Sequence, residues 1–131
     1  MANSDLVVHK ESLVSVIENK GLDSVIKPLS QEIHLFDSYI AGTTHLNDKT
    51  VLDTIQIGDK LTLQREDNKF DSNAIMVLNA EKKKLGYVPE KDNIVFARLM
   101  DAGKLLIAKI NKITQKGTFK QISIGIYLVD F

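Results

Sequence analysis

The sequence predicts a mainly β (α+β) domain: a small antiparallel barrel with an N-terminal helical segment and one helix set before the last hairpin. Three observations carry this. Apolar residues alternate with polar ones over short runs such as Lys60 to Arg65 and Leu105 to Ile113. The runs are separated by Gly, Asn and Asp turn signals. The interior holds one segment of helical periodicity, and strands alternating regularly with helices, as in a parallel α/β sheet, are absent.

Between Asp5 and Leu29 the apolar residues Leu6, Val7, Leu13, Val14, Ile17, Leu22, Val25, Ile26 and Leu29 recur mostly at spacings of three and four, which predicts a helix broken near Gly21 and ended by Lys27-Pro28. Residues 1–31 are therefore read as a helical extension packing on a domain at 32–131; a partner-binding amphipathic helix is the alternative. Ile33 to Ala41, rich in β-branched and aromatic residues, reads as a strand, with Gly42 as a bend or bulge. Asp48 or Asp53 starts a short helical turn, and Ile57-Gly58-Asp59-Lys60 is a tight turn. In the strand Lys60 to Arg65, Leu61, Leu63 and Arg65 share one face.

Asp67 to Asp71 is loop, and Ala74 to Leu78 is a buried strand. Asn79 to Lys83 is a hairpin tip, with Lys84 to Val88 returning and Pro89 ending the strand. The run Lys82 to Lys84 reads either as solvated surface or as a phosphate contact. Asp92 or Asn93 is expected to cap a helix that carries Ile94, Val95, Ala97, Leu99 and Met100 to the core and stops at Gly103. Leu105 to Ile113 and Gln121 to Val129 then form a hairpin around Thr114 to Phe119, turned by Gly117. Five or six short strands in this order describe an OB-like or SH3-like barrel.

A chain of 131 residues, 44% of them hydrophobic, can bury one core. Lys+Arg and Asp+Glu both number 17, so no overall field draws the protein to nucleic acid or to an anionic membrane, and polyanion binding needs a local patch. No cysteine is present, which excludes disulfides, thiolate metal sites and a cysteine nucleophile. The start lacks the pattern of a signal peptide and no apolar run approaches a membrane span, so a soluble cytoplasmic protein is the default expectation.

No phosphate-cradling glycine loop, paired-histidine helix motif or nucleophile elbow occurs, and His9, His34 and His45 fall in different elements. No catalytic residue, metal ligand or cofactor is assigned, and the domain is expected not to be an enzyme. The concentration of chemistry is the loop Arg65 to Asn73. Arg65 and Lys69 can meet phosphate oxygens, Phe70 offers a face to a base, and Asp71 can accept a bond from a sugar hydroxyl. Equally, Arg65 and Asp71 could bond each other while Phe70 plugs the barrel mouth. A third reading joins Glu66, Asp67 and Asp71 to a divalent metal in a phosphoester hydrolase.

Leu63, Arg65, Glu66, Asn68, Phe70-Asp71 and Ala74-Ile75, followed by Leu85-Gly86-Tyr87-Val88-Pro89 and a short helix, resemble the HIRAN domain, with Ile40-Ala41-Gly42-Thr43 where that family has its first strand and glycine. The resemblance runs from Ile33 to Val129. It implies an OB-like barrel that grips the 3′ end of single-stranded DNA, found in large relatives fused to Swi/Snf-type helicase engines and in DNA repair. This chain resembles the short stand-alone bacterial members in size, so a helicase or other protein partner is expected in trans.

By the resemblance Asp71 meets the terminal 3′-hydroxyl and Phe70 lies beside the bound nucleotide. His45 falls near a second stacking aromatic, Thr44 where a DNA-binding relative has arginine, Lys91 near a phosphate contact, and Tyr87 along the groove. Thr44, His45 and Glu90 depart from the family's arginine, aromatic and lysine. Each departure weakens DNA binding, since one stacked base contributes about 1 to 3 kcal/mol. A protein-interaction module without DNA binding is the alternative from another class.

Overall fold

The computed structural model describes residues 31–130. The expected N-terminal helical extension lies outside the described residues. Six antiparallel strands form one sheet: β1 (Gln31–Tyr39), β2 (Lys60–Arg65), β3 (Ile75–Leu78), β4 (Lys84–Tyr87), β5 (Leu105–Lys116) and β6 (Phe119–Asp130), in the spatial order β1-β6-β5-β2-β3-β4. One helix, α1 (Glu90–Asp101), and two 3-10 turns, Thr43–His45 and Lys49–Asp53, complete them.

Alternation builds the core. Leu61 and Leu63 of β2, Leu106, Ala108 and Ile110 of β5, and Ile122, Ile124 and Ile126 of β6 are buried on one face. Cross-strand pairing places Ala108 against Ile126 and Ile110 against Ile124. Beyond Ile110 the register shifts, so Lys112 pairs with Ser123, and a second shift separates Val77 from Leu78 in the β3–β4 ladder. Such irregularities raise local twist and let a sheet curl.

The curl brings the two edges of the sheet together. After β1 the chain crosses from β6 to β4: the Ile40 amide donates to Ile122 O at 2.9 Å, and Ala41 and Tyr87 exchange both backbone bonds at 2.8 Å. Gly86 makes this possible. Its φ is +154°, and a Cβ there would stand 2.3 Å from the Ala41 carbonyl oxygen and 2.6 Å from Ile40 Cγ2.

Three expectations need correction. Helix α1 starts at Glu90 behind Pro89, with no side-chain cap, so Asp92 and Asn93 lie inside its first turn rather than before it. Its core face is Asn93, Phe96 and Ala97, with Leu99 and Met100 partly buried, while Ile94 and Val95 are exposed. The β5–β6 connection is a two-residue turn, Gly117-Thr118, in which only Gly117 has positive φ, because pairing continues out to Lys116 and Phe119.

Other local signals act as read. Asp48 accepts the Thr50 amide at 3.0 Å to start its turn. Gly103, at φ +93°, ends α1: its amide reaches Met100 O and that of Lys104 reaches Leu99 O, a Schellman pair. Ile33, Leu35 and Phe36 of β1 are partly exposed, and burial begins only at Ile40. Among the described residues no helix is long and apolar enough to cross a membrane.

Candidate nucleic-acid interface

The loop between β2 and β3 is built by amide and carboxylate side chains bonding their own backbone. Asn68 Oδ1 accepts the Phe70 amide at 2.8 Å, and Asp71 Oδ1 accepts the Asn73 amide at 2.9 Å. Two successive turns of this kind hold Phe70 between them, the residue 86% exposed. Lys69 Nζ lies 5.2 Å from that ring's centroid.

Arg65 does not bond Asp71, and Phe70 does not plug the barrel. The Arg65 fork turns inward: Nε donates to Asp101 Oδ1 at 2.9 Å, Nη1 to the Ala74 carbonyl at 2.7 Å and Nη2 to the Ser72 carbonyl at 2.8 Å. It ties the far side of the loop to the end of α1, and it holds the Asp101 carboxyl below its ordinary range. Arg98 adds a bond to Asn73 Oδ1 at 3.0 Å.

Asp71 is half-buried. Its Oδ2 accepts from Asn93 Nδ2 at 2.8 Å, so each oxygen carries one bond from the protein. A carboxylate offers about four lone-pair positions, which leaves room on both oxygens for a further donor. Glu66 is more fully engaged, accepting from Asn68 Nδ2 at 2.9 Å and from the Tyr87 hydroxyl at 2.8 Å. These donors, Asn68 first, hold the Glu66 carboxyl below its ordinary range. Lys84, from the lysine run, turns to Tyr87, with Nζ 4.9 Å from the ring centroid.

Phe70, Asp71 and Tyr87 line one open groove of about 320 Å³, together with Gly42, Asn68 and Glu90. Gly42, at φ +75°, lies beneath the Tyr87 ring, where a Cβ would approach Cδ1 to 3.6 Å. The other residues singled out from sequence do not line this groove. Thr44 lines a separate depression of about 350 Å³ with Lys49, Phe119 and Lys120. His45 is exposed at the end of its 3-10 turn, and Lys91 lies on the first turn of α1 with Nζ 5.5 Å from the Tyr39 ring.

Sequence reasoning missed Asn93 as a member of this neighbourhood, whereas Glu90, named for standing in the place of the family's lysine, does line the groove. Asn93 left one signal: it occupies the helical position three and four residues before the buried Phe96 and Ala97, where a polar residue needs an internal partner. Among the described residues no group of three His, Asp or Glu side chains could hold a metal ion.

A curled antiparallel sheet sealed by one helix, with a polar and aromatic groove at the joined edges, defines a small OB-like barrel module. The sequence matches the HIRAN domain over residues 33–129, and the chain belongs to the HIRAN family. A crystal structure of a protein from Lactobacillus plantarum is similar at 27% identity and a TM-score of 0.72, over 78% of this chain and 99% of that one. The HIRAN domain of human HLTF has the same fold at 16% identity and a TM-score of 0.61, over 77% of this chain and 79% of that one. No curated protein matches the sequence.

Proposed function

We propose that this domain is a non-enzymatic nucleic-acid-binding module that receives the free 3′ end of single-stranded DNA in the Phe70–Asp71 groove. Membership of the HIRAN family supports nucleic-acid binding. The observation that carries the finer reading is Phe70, a large aromatic residue 86% exposed on a loop pinned from both sides, directly beside a carboxylate with unused acceptor capacity. The ring stacks the terminal base and Asp71 accepts a hydrogen bond from the terminal hydroxyl.

Electrostatics at the floor of the groove favour a hydroxyl over a phosphate at that terminus. Asp71 and Glu90 line it and, among the described residues, no lysine or arginine does; the ammoniums of Lys69 and Lys84 stand against the Phe70 and Tyr87 rings, and the guanidinium nearest in sequence is spent on Asp101. Lys69, against the Phe70 ring, and Lys91, on the first turn of α1, are the cations assigned to internucleotide phosphates in this reading. The role in a cell is end recognition during DNA processing or repair, alongside a helicase or other protein partner.

NMR titration at low salt with two matched oligonucleotides, one ending in a 3′-hydroxyl and one in a 3′-phosphate, tests the reading. The hydroxyl end should bind at least about tenfold more tightly and shift the amides of Phe70 to Asn73, as expected for one hydrogen bond to a charged group. Equal affinity for the two ends, or shifts confined to another face, defeats it.

A further inference from the structure

We infer that Asn93 is the positioning residue that gives this groove its preference for a hydroxyl terminus, an inference that rests on the function proposed above. Asn93 is 2% exposed and sits on the core face of α1 with Phe96 and Ala97. An apolar side chain at such a position packs without the cost of burying an amide, so the amide must be justified by its bond. That bond goes to Asp71 Oδ2, at 2.8 Å, from a rigid helix.

The Asn73 amide holds the other oxygen, so the Asp71 carboxylate is fixed at both ends, one by its own loop and one by α1. A free carboxylate rotates about its terminal torsion; this one presents its remaining lone pairs in a set direction. The donor's neutrality matters as much as its geometry. An arginine or lysine in its place would also orient Asp71, but would cancel its charge and admit a phosphate. The asparagine amide orients the carboxylate and leaves the charge in place, so a hydroxyl donor is accepted and an anionic terminus repelled.

Asn93→Leu, of the same branched shape and without the donor, tests this by the ratio of 3′-phosphate to 3′-hydroxyl dissociation constants. The ratio should fall about tenfold, chiefly through the hydroxyl end, while 3′-phosphate binding stays within roughly twofold. In an Asp71→Ala background the same substitution should leave the ratio unchanged, because Asn93 acts only through Asp71. If Asn93→Leu melts too low, Asn93→Ala, which keeps the best helix former in α1, reads the same ratio. A folded variant that keeps the wild-type ratio, or one that loses both ends equally, overturns the inference. A wild-type protein that binds both ends alike overturns the proposed function itself, and this inference with it.

Discussion

Gly86→Ala is the sharpest test of how the barrel closes. The added Cβ would lie 2.3 Å from the Ala41 carbonyl oxygen and 2.6 Å from Ile40 Cγ2. Ordinary van der Waals contact is about 3.5 to 4 Å, so the two edges must part by more than 1 Å. Parting them breaks the reciprocal Ala41–Tyr87 bonds, both 2.8 Å long. Two backbone bonds contribute about 1 to 3 kcal/mol together. Holding alanine at φ +154° adds strain of roughly 1 to 3 kcal/mol. The expected loss is therefore about 2 to 6 kcal/mol, a fall in Tm on the order of 10 °C or more for a domain of this size. Thermal melting followed by circular dichroism measures it. A variant melting within about 3 °C of wild type would show that the edges are not held together at this bridge.

Three further outcomes follow from the loop. Phe70→Ala should leave stability within about 0.5 kcal/mol, since the ring is exposed, yet cost about 1 to 3 kcal/mol in oligonucleotide binding, read by paired melting and NMR titration. Arg65→Lys should fail to replace the fork, because one ammonium cannot span Asp101, Ser72 and Ala74. Hydrogen exchange of the Ser72 to Ala74 amides should quicken, and unchanged exchange would argue against this anchor. For Glu66 the folded-state pKa lies below the ordinary value of about 4.3, so its stabilisation is complete above that value and is lost as pH falls through the lowered one. Glu66→Gln should thus flatten the acid limb of the stability profile below about pH 4. An acid limb as steep as that of wild type would remove Glu66 from that role.

How much was legible depended on the range of the causes. Leu61 and Leu63 alternate within six residues, Asp48 caps a turn two residues away, and Gly103 stops a helix at its own position; each is a local cause and each could be read. The start of α1 was misread because Asp92 and Asn93 have the chemistry of caps, but both are engaged elsewhere. Asp92 accepts from Ser38 of β1 at 2.9 Å, and Asn93 is drawn inward to Asp71. Asn93 shares the buried face of the helix with Phe96 and Ala97, which leaves Ile94 and Val95 exposed. Arg65 finds its partner 36 positions along the chain, and the reason for Gly86 is the backbone of Ala41. Neither distance appears in a one-dimensional pattern.

The inward bonds of the loop do not argue against an interface there. Turns at Asn68 and Asp71, the Arg65 fork and the Asn93 amide hold the loop backbone from Phe70 to Ala74 and the Asp71 carboxylate, which lowers the ordering cost at the moment of binding. What remains is modest in energy: a stacked base at about 1 to 3 kcal/mol and a hydroxyl on a carboxylate at about 1.5 to 3 kcal/mol. Their sum corresponds to roughly millimolar affinity. Threonine, histidine and glutamate at positions 44, 45 and 90 add little to it, and zero net charge adds no long-range attraction. On the proposed reading, such a module discriminates the chemistry of an end better than it holds one. It becomes effective when a partner already on the same nucleic acid supplies the effective concentration, which links the proposed ligand to the proposed need for a protein in trans.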